Sequence, residues 1–208
     1  MNANTGTKFP EFAARAPRIT VRDALAGLLG AAEDGVIEYT YADAIKLAGH
    51  SCPTVASAFL MARAGLAALY PDCLPERGGV RVQLRQPAAE GVSGVIGNVI
   101  GMITGAAGEG GFHGIGSRFD RRRLLAFGVA GPGEVTLSRV DSGAAVSVAV
   151  RAEAVPGDPR MRELLPRCLI GAATPAEAAQ FRSLWQDRVR RLLLEHADDP
   201  DVVVVEQE

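Results

Sequence analysis

Apolar residues recur at helical spacing from Pro53 to Leu69, where Val55, Ala56, Phe59, Leu60, Ala64, Ala67 and Ala68 lie one to four positions apart. The pattern predicts a long central helix. Pro53 suits its first turn, where a missing N–H costs nothing, and Ser51 or Cys52 falls at or beside the N-cap. Small residues at 56, 57, 58, 62, 64, 65, 67 and 68 leave room for another backbone to lie close. A second helical period runs from Gly91 to Gly105 through Val92, Val95, Ile96, Val99, Ile100 and Ile103, interleaved with Gly94, Gly97 and Gly101. Each helical glycine costs about 1 kcal/mol relative to alanine, so this spacing implies a face packed tightly against another helix or a ligand.

Alternation of apolar and polar positions predicts strands over 35–41 and 79–85, and further strands over 123–128, 134–140 and 144–152. Val21 to Ala32 reads as an amphipathic helix with Leu25, Leu28 and Leu29 on one face and Asp23 near its positive end. A short helix over 42–47 leads into the central one, and residues 1–10 form a loose arm. Residues 158–172 read as irregular or helical. Thr174-Pro175-Ala176-Glu177 is a capping box with proline at the first helical position. The helix it opens runs to about His196, burying Phe181, Leu184, Trp185, Val189 and Leu192 or Leu193 and exposing its arginines. Val202 to Val205 adds an edge strand.

These elements imply an α+β fold. A mixed or antiparallel sheet packs against the central small-residue helix and the Gly-rich helix. Residues 1–156 form the domain, and 157–208 form a C-terminal helical extension packed on it.

Composition narrows the function. The chain has 208 residues, 48% hydrophobic and 22% charged, which is ample for a buried core. A net charge of −2 argues against general affinity for nucleic acid or an anionic membrane. Aromatic content of 5% argues against a base-stacking surface. Arg121-Arg122-Arg123 is too short to change this and reads as solvating the end of a strand or hairpin. No segment offers eighteen uninterrupted apolar residues; 92–107 comes nearest and is laced with glycine. Three cysteines, Cys52, Cys73 and Cys168, form no Cys-x-x-Cys pair, and the polar N-terminus lacks a signal-peptide pattern. The expected compartment is the cytoplasm. Cys73 reads as an inert turn residue, Cys168 as packed against the last helix, and His196 as balancing that helix's negative end.

Candidate chemistry centres on Gly49-His50-Ser51-Cys52-Pro53. Backbone N–H groups at a helix start favour a thiolate, and imidazole with thiolate suits zinc or another transition metal. The plainer alternative has His50 bonded to backbone and Cys52 as a small buried hydrophobe. The run Gly105-x-x-Gly108-x-Gly110-Gly111 lacks the Gly-Lys-Ser/Thr ending of a phosphate loop.

Gly49-His50-Ser51-Cys52-Pro53, followed by Ala58-Phe59-Leu60-Met61-Ala62-Arg63 and Leu66, resembles the Gly-His-x-Cys-Pro signature of FmdE-type proteins, a family named after one component of formylmethanofuran dehydrogenase. The resemblance covers roughly 36–130, through Glu90 and Thr104-Gly105 to His113-Gly114. It implies a compact α+β domain, a homodimer, and zinc near the His-x-Cys. The family's downstream cysteines are absent: the second helical segment reads Ser93-Gly94-Val95-Ile96-Gly97-Asn98, and Ala106 follows Gly105.

On this basis the expected metal ligands are His50 and Cys52, with His113 as third ligand unless it is a solvent-exposed loop histidine. A residue from a second copy of the chain is the alternative completion. Glu90 is the candidate catalytic carboxylate or ligand, or else a cap for the following helix. Met61, Asn98 and Thr104, with Ser93, would line a cofactor or small-molecule pocket. The alternative functions are a haem-binding module, with His50, Cys52, Met61 and His113 as possible axial groups, and a metal-free dimeric scaffold.

Overall fold

The computed structural model describes residues 7–208, so the first six positions of the expected arm lie outside the described residues. Phe9 belongs to the packed molecule, lying against the core beside Phe12 and Ala13.

The fold is α+β, as the hydrophobic pattern requires. Five strands form one sheet: Val80–Leu84 (β3), Leu125–Phe127 (β4), Val135–Arg139 (β5), Ala145–Val150 (β6) and Val203–Gln207 (β7), in the order β4-β3-β5-β6-β7. The β3–β4 pair is parallel and the others antiparallel. A separate antiparallel ribbon joins Ile19–Arg22 (β1) to Val36–Tyr39 (β2). Among the described residues no helix is long and apolar enough to cross a membrane.

One face of the large sheet is apolar, because residues two apart on a strand share a face. Val80, Val82, Leu84, Val135, Leu137, Val146 and Val148 are all buried there. Against them lie the central helix Pro53–Leu69 (α3) and the Gly-rich helix Ser93–Thr104 (α4), which pack on each other. Phe59, Leu60 and Leu66 of α3 are almost fully buried, each contributing about 1.5–3 kcal/mol of burial free energy. Gly65 is required by this packing: a side chain there would run into Leu137 and Val148.

The glycines of α4 face the protein's own atoms. A Cβ at Gly97 would meet the Phe127 ring of β4 at 2.5 Å, and Cβ atoms at Gly94 and Gly101 would meet the carbonyls of Ala88 and Ala106 at 2.8 Å. The close packing expected of that helix is therefore supplied at its glycines by neighbouring loops and β4.

The N-terminal reading needs correction. Only Ala24–Leu28 (α1) is helical there, and β1 precedes it. Leu28 and Leu29 are exposed rather than buried. Asp23 is the N-cap, accepting from the N–H groups of Leu25 and Ala26. Its buried carboxylate also accepts from Arg77 Nη1 and Arg121 Nη2, each at 2.8 Å. Arg77 donates in addition to the Met102 carbonyl in the last turn of α4, where the helix dipole favours a cation. Arg121 is thus a buried ion-pair residue and not part of a solvated basic cluster. Arg122 pairs with Asp120 and Arg123 with Glu109 at the surface. Four chain segments meet at Asp23, and two donors there, Arg77 Nε and Arg121 Nη1, are buried without an acceptor among the described residues.

The C-terminal part follows its sequence signals. Thr174 and Glu177 form the capping box that opens Pro175–Leu194 (α6), and Met161–Leu169 (α5) packs on it. The arginines of α6 are not all released to solvent. Arg188 donates to the carbonyls of Ala152 and Val155, and Arg191 to that of Pro156. His196 pairs with Asp199 at 2.8 Å.

Candidate functional site at the start of the central helix

Helix Tyr41–Ala48 (α2) opens with a capping box from Thr40 and Asp43 and ends at Gly49, whose φ of 74° is the left-handed conformation that glycine adopts without cost. The chain then reverses through His50 and Ser51 into α3. Cys52 is the N-cap of α3, with Pro53 in the first turn. Its Sγ accepts the Val55 N–H at 3.4 Å, taking the place that a serine or aspartate oxygen usually holds.

His50 lies on the surface, its Nδ1 2.9 Å from the Ala48 carbonyl. A carbonyl oxygen can only accept, so Nδ1 carries a hydrogen, and Nε2 is the ring nitrogen without a hydrogen bond among the described residues. This is the hydrogen bond by which backbone carbonyls orient metal-binding histidines.

Ser51 is the residue that the C-terminal helix grips. Its hydroxyl donates to Gln186 Oε1 at 2.9 Å and lies 3.1 Å from the Tyr41 hydroxyl, which then donates to it. Its carbonyl accepts from Trp185 Nε1 at 3.0 Å and Gln186 Nε2 at 3.1 Å. Burial pushes the Tyr41 phenol above its ordinary range, outweighing the Ser51 hydrogen bond, so it remains a donor. Position 51 is a free "x" in the sequence motif, and nothing in the linear spacing pairs it with residues 185 and 186.

His50 and Cys52 differ in surroundings: the imidazole is exposed, while the thiol is buried over the first turn of α3. His113 is exposed in the 105–119 loop, stacked on Phe112 with ring centroids 5.6 Å apart. That loop is tied to the Arg118–Arg121 segment through the Ile115–Arg118 and Phe112–Arg121 backbone bonds. Among the described residues no three His, Cys, Asp or Glu side chains gather as a metal site, so the set His50, Cys52 and His113 is not brought together.

The remaining candidates scatter. Glu90 is exposed in the turn before α4, and no side-chain cap opens that helix. Asn98 is exposed on α4. Thr104 is buried, donating to the Ile100 carbonyl and accepting the Ala106 N–H, which is a helix-ending task. Ser93 donates to the Gln86 carbonyl. Met61 is 1% exposed within the core.

No protein-family model matches this chain, and no curated protein matches it.

Proposed function

We propose that this chain is an FmdE-like protein that binds a transition-metal ion, zinc foremost, through His50 and Cys52. The observation that carries the reading is the His50 hydrogen bond: Nδ1 is engaged by the Ala48 carbonyl, which leaves Nε2 as the nitrogen free to ligate, two residues from a thiol at a helix start. One imidazole and one thiol supply only half of a closed zinc site. Two copies of the chain supply two of each, the donor set of a tetrahedral His₂Cys₂ centre. The Val55 N–H would then stand as an outer-shell donor to the thiolate. A four-ligand set leaves no position for water, so the ion would act as a crosslink between copies. The three free thiols support a reducing, cytoplasmic setting.

A haem pocket is not part of this proposal. Phe127, Ala88 and Ala106 fill the glycine faces of α4, and Met61 is sealed in the core.

Trp185 is the chain's single tryptophan and bonds to Ser51, so it reports on this connector. Zinc added to the metal-free protein is expected to shift Trp185 emission, raise the mass to that of a dimer, and bind at one ion per two chains. His50→Ala and Cys52→Ser should each abolish all three responses. Zinc bound equally well by Cys52→Ser would overturn the proposal, as would a wild-type chain that takes up none.

A further inference from the structure

The face of the large sheet turned away from α3 and α4 carries a cleft that the metal reading does not use. Register sets two neighbouring rows across it. Arg85, Glu134, Ala149 and Val204 lie side by side on or next to β3, β5, β6 and β7, and Gln83, Thr136, Ser147 and Glu206 form the next row. Adjacent strands are about 4.8 Å apart, so these side chains are near neighbours. The β4–β5 connection folds over them. Arg85 donates through Nε to the Gly131 carbonyl and through Nη2 to that of Pro132. Gly133 passes so close to Ser147 that any side chain there would collide with the Ser147 hydroxyl.

The result is a cleft of about 370 Å³, within the usual size of small-ligand sites. Apart from Arg85, which holds the Gly131 and Pro132 carbonyls, its charged groups are unspent. Ser147 lines the cleft, and its side chain forms no hydrogen bond among the described residues. Glu134, Arg151 and Glu206, at the rim, likewise form no side-chain hydrogen bond or ion pair among the described residues. Partial burial pushes the Glu134 carboxyl upward; the Arg85 charge opposes this, and that of Glu153 adds to it. A few convergent polar groups lining a cleft of this size are what a small-ligand site offers.

Two guanidinium groups, two carboxylates and one hydroxyl make a neutral but strongly polarised lining. A simple anion would meet Glu134 and Glu206, and a simple cation would meet Arg85 and Arg151. A ligand carrying both charges satisfies all four. We propose that this cleft binds a small zwitterion of the α-amino-acid class. Its carboxylate is held by Arg151, Arg85 Nη1 and the Ser147 hydroxyl, and its ammonium by Glu134 and Glu206. Binding here is independent of His50 and Cys52.

The test is a titration of ¹⁵N-labelled full-length protein with L-alanine, acetate and methylammonium, followed by amide shifts. L-alanine is expected to saturate at about millimolar concentration, with shifts confined to residues 131–134, 147–151 and 204–206. Acetate and methylammonium each carry one of the two charges and should bind at least about tenfold more weakly. Arg151→Met and Glu134→Gln change rim residues, leave the packing intact, and should each weaken L-alanine by about tenfold or more. His50→Ala should leave it unchanged. Three results would each overturn the proposal: acetate binding as tightly as L-alanine, equal binding by both rim variants, or no saturation by L-alanine in protein shown to be folded by circular dichroism.

Discussion

The charges gathered at Asp23 and those along the outer sheet face are the same residue types used in opposite ways. At Asp23 both carboxylate oxygens are engaged by two guanidinium groups and two backbone N–H groups, and the residue is 3% exposed. On the sheet face Glu134, Arg151 and Glu206 stand around a cleft with no partner among the described residues. A carboxylate with both oxygens engaged internally holds chain segments together, even though Arg77 Nε and Arg121 Nη1 beside it have no acceptor among the described residues. A charge left open beside a cavity has capacity for a molecule from outside. The start of α3 lies between these extremes, since Ser51 is saturated by Tyr41, Trp185 and Gln186 while the neighbouring His50 keeps one nitrogen open.

Breaking the first region should have the largest effect. Asp23→Ala leaves Arg121 buried without its counter-charge, and is expected to cost about 3–5 kcal/mol in urea unfolding. A loss under about 1 kcal/mol would show that the two guanidiniums find other acceptors. Acid sharpens the same point. Burial is the largest single influence on the Asp23 carboxyl and pushes it up. The Arg77 hydrogen bond, the Ala26 N–H and the charges of Arg121 and Arg77 together overcome it and hold the carboxyl below its ordinary value of 3.8. The folded state is thus the stronger acid. Its contribution is complete above the unfolded value and disappears as pH falls through the folded one. Wild-type stability should drop below about pH 4 more steeply than that of Asp23→Ala, measured by urea midpoints across pH.

Smaller effects follow where packing rather than charge decides. Gly101→Ala gains helix propensity, yet its Cβ meets the Ala106 carbonyl at 2.8 Å. A net loss of about 1–2 kcal/mol is expected, since backbone cannot yield as a side-chain tip does. Thr174→Ala removes one half of the α6 capping box and should cost about 1 kcal/mol by the same assay. Least of all, Glu134→Gln and Arg151→Met should stay within about 0.5 kcal/mol of wild type, as befits charges that support no internal bond. A larger loss from either would mean that the sheet face resembles the Asp23 cluster after all.

Much of the fold was legible where local rules act. The periods of α3 and α4, the capping box of α6, and the alternation of β3, β5 and β6 depend on neighbours a few residues apart. The sequence also marked the start of α3, because Cys52-Pro53 is a local N-terminal signal. It misled at α1, where Leu28 and Leu29 suggested a buried face that the fold leaves in solvent. It misled again at Arg121, which looks identical to Arg122 and Arg123 until the chain brings Asp23 to it across 98 positions. The grip of Gln186 on Ser51 spans 135 positions and left no trace in either local pattern.

The amino-acid order by itself determined the α+β elements, their caps and the His50–Cys52 spacing, since these are settled by backbone propensities and short-range bonds. Tertiary structure alone decided which charges were consumed and which stayed open. Burial and partner choice depend on distant segments meeting, so the fates of Asp23, Arg121, Ser51 and Ser147 follow from the packed chain rather than from their own neighbourhoods.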